Sequence, residues 1–218
     1  LVVERDPSYA TASTALSASG IRVQFSNTAN VRIGQFGLEF IQAFPDLMEV
    51  DGDRPGLGYH PGGYLFLANT EEQVRILREN HAVQRAAGAE VELWDADKLK
   101  WAFPHLNTDD ILLASYGLKG EGWFDNTGLM MGACNKAKAL GVDFIADEVV
   151  GIAREGNRVT GVTLKSGARV GAGTVVNAAG PRGGKVAAMA GIALPVEPRK
   201  RTIFVFDSAD SPEGMARV

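Results

Sequence analysis

The sequence contains one cysteine, three histidines and no apolar run that approaches the length of a membrane span. Cys134 has no second cysteine with which to form a disulfide, so nothing indicates secretion. Three scattered histidines argue against a His-rich metal site, and a net charge of −4 argues against a surface that follows nucleic-acid phosphates. We therefore expect no metal ion, no nucleic-acid partner and no segment that spans a membrane.

The 218 residues are 45% apolar and 22% charged, a composition typical of a soluble globular protein with one large or two small domains. The sequence begins at Leu1, within an apolar strand pattern, with neither an initiating methionine nor a signal segment. We interpret it as part of a longer protein. The expected location is the cytoplasm, or the mitochondrial matrix if the source is eukaryotic.

A turn of small residues near the end of the sequence is the most informative feature. The β-branched pair Val175-Val176 leads into Asn177-Ala178-Ala179-Gly180-Pro181. Adjacent valines are typical of a strand that is buried on both faces. Small residues after a strand allow the main chain to approach a flat ligand, and ligands of open α/β sheets bind at this position. From these residues alone, a ligand site and an ordinary strand-to-helix turn are equally good interpretations.

The first residues of the chain also fit a nucleotide site. Leu1 to Glu4 form a short apolar strand that ends in an acid, and such an acid can accept hydrogen bonds from ribose hydroxyls. The alternative is that Glu4 simply ends a strand. Residues 9–22 are rich in serine and threonine, so they either bind phosphate oxygens or form a solvent-exposed loop.

Local patterns predict a mixed order of helices and strands. Helices are expected at 30–44, where Pro45 ends the pattern, at 70–87 with Thr70 as the cap, at 96–103 capped by Asp95, at 127–140 and at 185–190. Strands are expected at 91–93, 111–116, 175–176 and 202–206, with a hairpin over 58–67 and a meander of 142–145, 149–153, 159–164 and 169–170. Cys134 lies on the apolar stripe of its helix, which predicts a buried structural thiol.

Several separated motifs occur in order along the chain. They are Ala12-Ser13-Thr14, Gly20-Ile21, Gln24-Phe25-Ser26, Ala114-Ser115-Tyr116-Gly117, Glu121-Gly122-Trp123-Phe124-Asp125, Val175-Val176-Asn177-Ala178-Ala179-Gly180-Pro181 and Pro198-Arg199-Lys200-Arg201. Together they resemble the FAD-dependent oxidoreductases of the D-amino-acid oxidase type, which include glycine and sarcosine oxidases. The resemblance covers essentially the whole sequence and extends to a member associated with the assembly of respiratory complex I.

The resemblance implies an α/β fold, in which a Rossmann-like FAD-binding domain of the glutathione-reductase type carries an inserted α+β substrate domain. It assigns residues 1–44 and 126–195 to the FAD-binding domain, and residues 45–125 and 196–218 to an incomplete substrate domain. It also implies that the family's amino-terminal glycine-rich turn and its carboxyl-terminal part lie outside this sequence.

The same resemblance assigns cofactor contacts to individual residues. Those implied to bind FAD are Glu4 at the adenosine ribose, Arg5 near the adenine, Ser13 and Thr14 at the pyrophosphate, Ser19, Gly20 and Ile21 along the flavin ring, Val149 at the adenine edge through its main chain, and Ala178, Ala179 and Gly180 along the ribityl and phosphate stretch. Members with covalent flavin often carry a histidine in the loop that corresponds to residues 11–20. No histidine is present there, so we expect non-covalent FAD. Arg182-Gly183 stands where members commonly have tryptophan.

The chemistry that the resemblance implies is oxidation of a C–N bond in an amino acid or secondary amine, with hydride transfer to the flavin. Arg22, which the resemblance also places along the flavin ring, is the candidate contact for a substrate carboxylate; a structural arginine is the equally supported alternative. Two other functions remain open. One is a flavin-binding assembly protein with a protein partner in a respiratory or oligomeric assembly, and the other is a nicotinamide dehydrogenase. The serine-rich loop and the meander favour FAD over the last.

Overall fold

The structure is a computed structural model, and it describes residues 1–204, 207 and 209. Its strands are β1 (Val2–Glu4), β2 (Gly20–Ile21), β3 (His60–Pro61), β4 (Leu65–Ala68), β5 (Val91–Trp94), β6 (Leu113–Gly117), β7 (Gly122–Trp123), β8 (Phe144–Ala146), β9 (Val149–Glu155), β10 (Arg158–Leu164) and β11 (Arg169–Gly171). Its α-helices are α1 (Thr28–Leu47), α2 (Glu71–Ala86), α3 (Ala96–Ala102), α4 (Asn126–Ala139) and α5 (Gly183–Met189), and a 3-10 turn covers Gly180–Arg182.

The described chain forms two compact units. The first contains residues 1–16 and 134–204, and the second contains residues 17–133. Residues 17–44 and 126–133, which are predicted to belong to the FAD-binding domain, therefore group with the predicted insert, and residues 196–204 group with the first unit instead of the predicted substrate domain. Compact units and functional domains are different divisions of a chain, so the predicted domain boundaries stay a prediction.

Strands β1 and β8 form a parallel pair in the first unit, with Val2 opposite Phe144 and Glu4 opposite Ala146. The other sheet of this unit is antiparallel, in the order β11-β10-β9, and Val162 and Leu164 of β10 are buried. The meander is therefore confirmed for its last three strands. The prediction that residues 142–145 belong to it is wrong, because β8 pairs with the distant strand β1.

The strand predicted at Val175-Val176 does not form. These residues have no regular secondary structure, and Val176 is 83% exposed. Two β-branched residues favour a strand only where a neighbouring strand supplies hydrogen-bond partners, and within the described chain no strand pairs with this segment. Of the strand predicted at 202–206, residues 202–204 are not in a strand, and 205 and 206 lie outside the described residues.

In the second unit, α1 is longer than predicted. It begins after Asn27, whose side-chain oxygen accepts a hydrogen bond from the N–H of Asn30, and it continues past Pro45 to Leu47. Proline removes one helical hydrogen bond and crowds the carbonyl four residues before it, but the helix continues, because the N–H of Met48 donates to the carbonyl of Phe44 over 2.9 Å. The prediction that Pro45 ends the helix is therefore wrong.

The caps predicted for the next two helices are confirmed. The Thr70 hydroxyl accepts from the N–H of Gln73, and Gly88 follows α2 with a φ of 83°. The Asp95 carboxylate accepts from the N–H of Lys98 at the start of α3. These signals are local, since each cap lies within three residues of its partner.

The predicted hairpin over 58–67 is wrong, because its two halves belong to different sheets. Strand β3 pairs with β7 in the sheet β2-β7-β3, and β4 pairs with β6 in the sheet β4-β6-β5. Gly62 and Gly63 carry the chain between the sheets, and both of their N–H groups donate to the carbonyl of Glu121 over 3.3 Å. Gly63 has a φ of 74°, a left-handed conformation that favours glycine.

The second unit contains three buried clusters. Val23 and Val31 pack with Val91, Ile41 and Phe44 pack with Leu57, and Leu99 packs with Trp94 and Ala114. In the part of the chain that the structure describes, no helix is long and apolar enough to cross a membrane. No group of three or more His, Cys, Asp or Glu residues in that part is arranged to hold a metal ion.

Replacing Leu99 by alanine is expected to destabilise the fold strongly. Leu99 is fully buried, and a Leu→Ala change at such a site costs about 2–5 kcal/mol, because burial is lost and a cavity remains. Leu47→Ala is the matched helical control, since Leu47 is 48% exposed. Urea unfolding of both variants measures the difference, and equal midpoints would contradict the assignment of Leu99 to the core.

Candidate functional site

Arg22 lies among aromatic rings in the second unit. It directly follows β2, and its guanidinium carbon is 4.7 Å from the ring centroid of Phe25, 5.6 Å from that of Phe66 and 5.9 Å from that of Tyr64. The side chain is half-buried, and none of the ion pairs among the described residues includes it. Ring faces stabilise the cation without occupying its N–H groups, so the guanidinium can still bind an anion in bidentate fashion.

Gly20 allows the Tyr64 ring to reach this position. A Cβ at residue 20 would collide with the Tyr64 hydroxyl and lie 3.1 Å from Cζ of that ring. Burial raises the pKa of the Tyr64 hydroxyl, while Arg22 lowers it and the charge of Glu121 raises it further. The residues predicted to line the flavin ring, Ser19, Gly20 and Ile21, directly precede Arg22 in the sequence. Ser19 adopts a left-handed φ of 58°.

Glu121 is a buried carboxylate for which the sequence predicts no role. It is 1% exposed, and its two oxygens accept four hydrogen bonds from the N–H groups of Val23, Gln24 and Tyr64 and from the side chain of Gln24. The one local sign of a buried side chain is the density of glycine around residue 121. Gly117 leaves room for the carboxylate, because a Cβ there would collide with it. Nothing in the sequence identifies the donors, which are 57 to 98 residues away.

The predicted ribose contact lies in the first unit. Glu4 ends β1 and is half-buried, and its Oε1 accepts from the N–H of Asp6 over 2.9 Å, which leaves the second oxygen for another donor. Arg5 is exposed. The N–H of Asp147 donates to the carbonyl of Glu4 over 3.1 Å, so the end of β1 lies next to the residues that precede Val149.

The remaining predicted contacts of the first unit lie on turns and on a sheet edge. Ser13 is exposed and Thr14 is half-buried, in a series of turns that follows Tyr9. Val149 begins β9, the outer strand of its sheet, so one side of its main chain faces no strand of the described chain.

Asn177 organises the small-residue turn. Its side-chain oxygen accepts from the N–H of Ala179 over 3.3 Å, and its amide donates to the carbonyl of Gly183 over 2.9 Å. Gly180 has a φ of 53°, and no heavy atom lies within 4 Å of the place where its Cβ would be. The turn is therefore held in shape while its surface stays open. No hydrogen bond among the described residues links Ala178, Ala179 or Gly180 to Glu4 or Val149.

A family model described as DAO, FAD dependent oxidoreductase, matches residues 1–217. The chain belongs to this family. The resemblance inferred from its motifs is thus confirmed, and the cofactor of this family of oxidoreductases is FAD.

Two curated relatives illustrate the extent of the similarity. FAD-dependent oxidoreductase domain-containing protein 1 of Xenopus laevis is 40% identical over 242 aligned positions, which cover 97% of this chain and 48% of the relative. The protein of the same name from Bos taurus is 38% identical, with 97% and 50% covered. The chain spans about half the length of the curated relatives that it matches.

Solved structures of the family share the fold. An L-proline dehydrogenase from P. horikoshii superposes with a TM-score of 0.70 at 29% identity, over 82% of this chain and 46% of that one. A glycine oxidase from Geobacillus kaustophilus superposes with a TM-score of 0.68 at 20% identity, over 83% and 49%, which shows the fold alone. The predicted fold class is confirmed.

The residues of this DAO-family chain fit the cofactor in two respects. Glu4 ends a strand with one carboxylate oxygen available for a ribose hydroxyl, and Gly180 offers an open surface that any larger side chain would fill. Both features are properties of the first unit by itself.

Tyr9 should ionise at a higher pH than an ordinary tyrosine. Burial, a 3.9 Å contact between its hydroxyl oxygen and the sulfur of Cys134, and the charge of Glu4 raise the pKa of Tyr9 to about 12 from 10.0. Cys134 is half-buried, so its side chain is more exposed than the buried thiol that the helix pattern predicts. In an alkaline titration of phenol absorbance, Tyr9→Phe should remove the step at about pH 12, whereas Tyr59→Phe should leave it. Loss of that step in Tyr59→Phe alone would contradict the assignment.

Proposed function

We propose that this protein oxidises the C–N bond of an amino acid or secondary amine. Non-covalently bound FAD would supply the acceptor for the hydride on the carbon next to nitrogen, and water would hydrolyse the resulting imine. The observation that carries the proposal is the half-buried guanidinium of Arg22, which three aromatic rings surround and no described carboxylate neutralises. The similarity to a protein named L-proline dehydrogenase supports the same substrate class.

Arg22 has the chemistry for orienting such a substrate. A guanidinium binds a carboxylate through two parallel hydrogen bonds, which fixes the position and the direction of the carbon attached to it. Tyr64 and Phe66 present ring faces beside the cation and supply apolar surface for the rest of a small substrate. Binding and orientation are the protein's part, because the bound flavin supplies the redox chemistry.

The cofactor contacts are proposed residue by residue. Glu4 would accept hydrogen bonds from the ribose hydroxyls, with Arg5 near the adenine and the main chain of Val149 at its edge. Ser13 and Thr14 would donate to the pyrophosphate. Two further groups would line the cofactor by close approach of small residues and main chain: Ser19, Gly20 and Ile21 at the flavin ring, and Ala178, Ala179 and Gly180 at the ribityl and phosphate stretch.

A second candidate function is that of a flavin-bearing assembly or interaction protein with little amine oxidation. The observation that favours it is an apolar face on α1, where Ile33 and Phe36 are each 65% exposed. A partner protein that covers this face would fit such a role. The two functions predict different behaviour of the flavin.

An amine panel separates the two functions. The protein expressed from its complete reading frame is loaded with FAD and mixed without oxygen with proline, sarcosine, glycine and other amino acids. Loss of the oxidised-flavin absorbance with one class of amine supports the proposed oxidation. A flavin that no member of the panel reduces supports the assembly function, and a protein that cannot be loaded with FAD would exclude both.

Replacing Glu4 by glutamine should weaken FAD binding. The charged acceptor for the ribose hydroxyls is lost, which is expected to raise the Kd by about ten-fold. The variant keeps an oxygen for the N–H of Asp6. Glu155→Gln is the matched control, because Glu155 is an exposed glutamate at the end of β9. Flavin fluorescence titration of the two apoproteins measures the effect, and equal affinities would argue against Glu4 as the ribose contact.

Replacing Arg22 by lysine should weaken the binding of amino-acid substrates but not of amines that lack a carboxylate. Lysine keeps the charge and loses the planar pair of donors, so the KM for an amino acid should rise by about ten-fold or more. The KM for an amine that lacks a carboxylate should not change. Arg78→Lys on the exposed face of α2 is the control. An equal rise for both kinds of substrate would contradict a carboxylate contact.

A further inference from the structure

We propose that Glu121 is a positioning residue, whose buried carboxylate holds Arg22 and Tyr64 in the arrangement that binds the substrate carboxylate. This inference rests on the proposed function, since it concerns the same anion-binding cluster. Glu121 itself does not touch the ligand in this proposal. It acts through the main chain of the two segments that carry Arg22 and Tyr64.

The hydrogen bonds of Glu121 join two segments that are distant in sequence. Its Oε1 accepts from the N–H groups of Val23 and Gln24, over 2.9 and 3.0 Å, and these residues directly follow Arg22. Its Oε2 accepts from the N–H of Tyr64 over 2.9 Å. The same carboxylate therefore sets the main-chain position of the cation and of one ring that packs on it.

Gln24 reinforces this connection. Its side-chain amide donates to Oε2 of Glu121 over 2.9 Å and to the carbonyl of Tyr64 over 2.8 Å, and its oxygen accepts from the hydroxyl of Ser115 over 2.6 Å. Gln24 and Ser115 are both buried. Each polar atom in the network has a partner, so the arrangement is fixed rather than one of several.

Burial of a carboxylate is energetically unfavourable at a position whose role is only structural. Burying a charge is costly unless it is paired or fully hydrogen-bonded, and Glu121 forms no ion pair with any cation of the described chain. Four N–H donors compensate for the lost water. The carboxylate therefore stays hydrogen-bonded only while the segments that carry Arg22 and Tyr64 keep these donors in place.

Glutamine cannot replace Glu121 in this network. Whichever way its amide points, the NH2 group would face two donors, either the N–H groups of Val23 and Gln24 or those of the Gln24 side chain and Tyr64. Two hydrogen bonds would be lost and one segment would move. Since Arg22 and Tyr64 lie on different segments, their relative position would change.

The test compares binding of a carboxylate with binding of its neutral amide. Isobutyrate and isobutyramide are titrated calorimetrically into FAD-loaded wild type, Glu121→Gln and the control Glu79→Gln, an exposed glutamate on α2. We expect wild type and control to bind isobutyrate alike, and Glu121→Gln to bind it about ten-fold or more weakly. Any binding of isobutyramide should be unchanged. In turnover assays, Glu121→Gln should raise the KM for an amino acid and leave the KM for an amine that lacks a carboxylate unchanged.

Two outcomes would overturn the inference. One is a folded Glu121→Gln that binds isobutyrate as the wild type does, and the other is a wild type that does not bind isobutyrate at all. If Glu121→Gln does not fold, Glu121→Asp replaces it, because aspartate keeps the charge and cannot reach both segments; unchanged isobutyrate binding by that variant would also overturn the inference. Failure of every amine to reduce the flavin would reject the proposed oxidation and leave this binding test intact.

Discussion

The second unit depends on one buried carboxylate. Glu121 accepts hydrogen bonds from two segments through its side chain, and its main-chain carbonyl also accepts from the Tyr59 hydroxyl over 3.0 Å. The charge is felt by its neighbours, because after burial it is the second cause that raises the pKa of the Tyr59 hydroxyl. The short sheet β2-β7-β3, the turn at Gly62 and the start of β4 all meet at this residue. A single side chain thus connects elements that have few backbone hydrogen bonds of their own.

Local features of the sequence predicted local structure well. The caps at Thr70 and Asp95 involve partners three residues away, so the sequence carries the whole signal. Pairing between distant strands was harder. Nothing near residues 142–145 shows that they pair with Val2 and Val3, and nothing near His60 shows that it pairs with β7 instead of folding back on β4. Pro45 wrongly predicts the end of α1, because a proline so close to the end of a helix removes a hydrogen bond without ending the helix.

The candidate site also combines features that are visible in the sequence with contacts that only the fold creates. Small residues at 178–180 and the acid at the end of β1 are features of composition and position, and both were visible in the sequence. The aromatic surroundings of Arg22 combine residues 22, 25, 64 and 66, which only the folded chain brings together. Glu121 lies within one of the motifs, but its role cannot be predicted from the sequence, because burial of a charged side chain is a property of the fold. The family assignment supplies the cofactor, and the structure supplies the geometry around the cation.

The rings around Arg22 have a consequence for the solution conditions under which the cluster would bind an anion. A guanidinium packed against Phe25, Tyr64 and Phe66 has already lost part of its water when the chain folds. Dissolved ions screen half-buried charges less than exposed ones. Affinity for an anion at this position should therefore depend less on ionic strength than affinity at an exposed arginine such as Arg78.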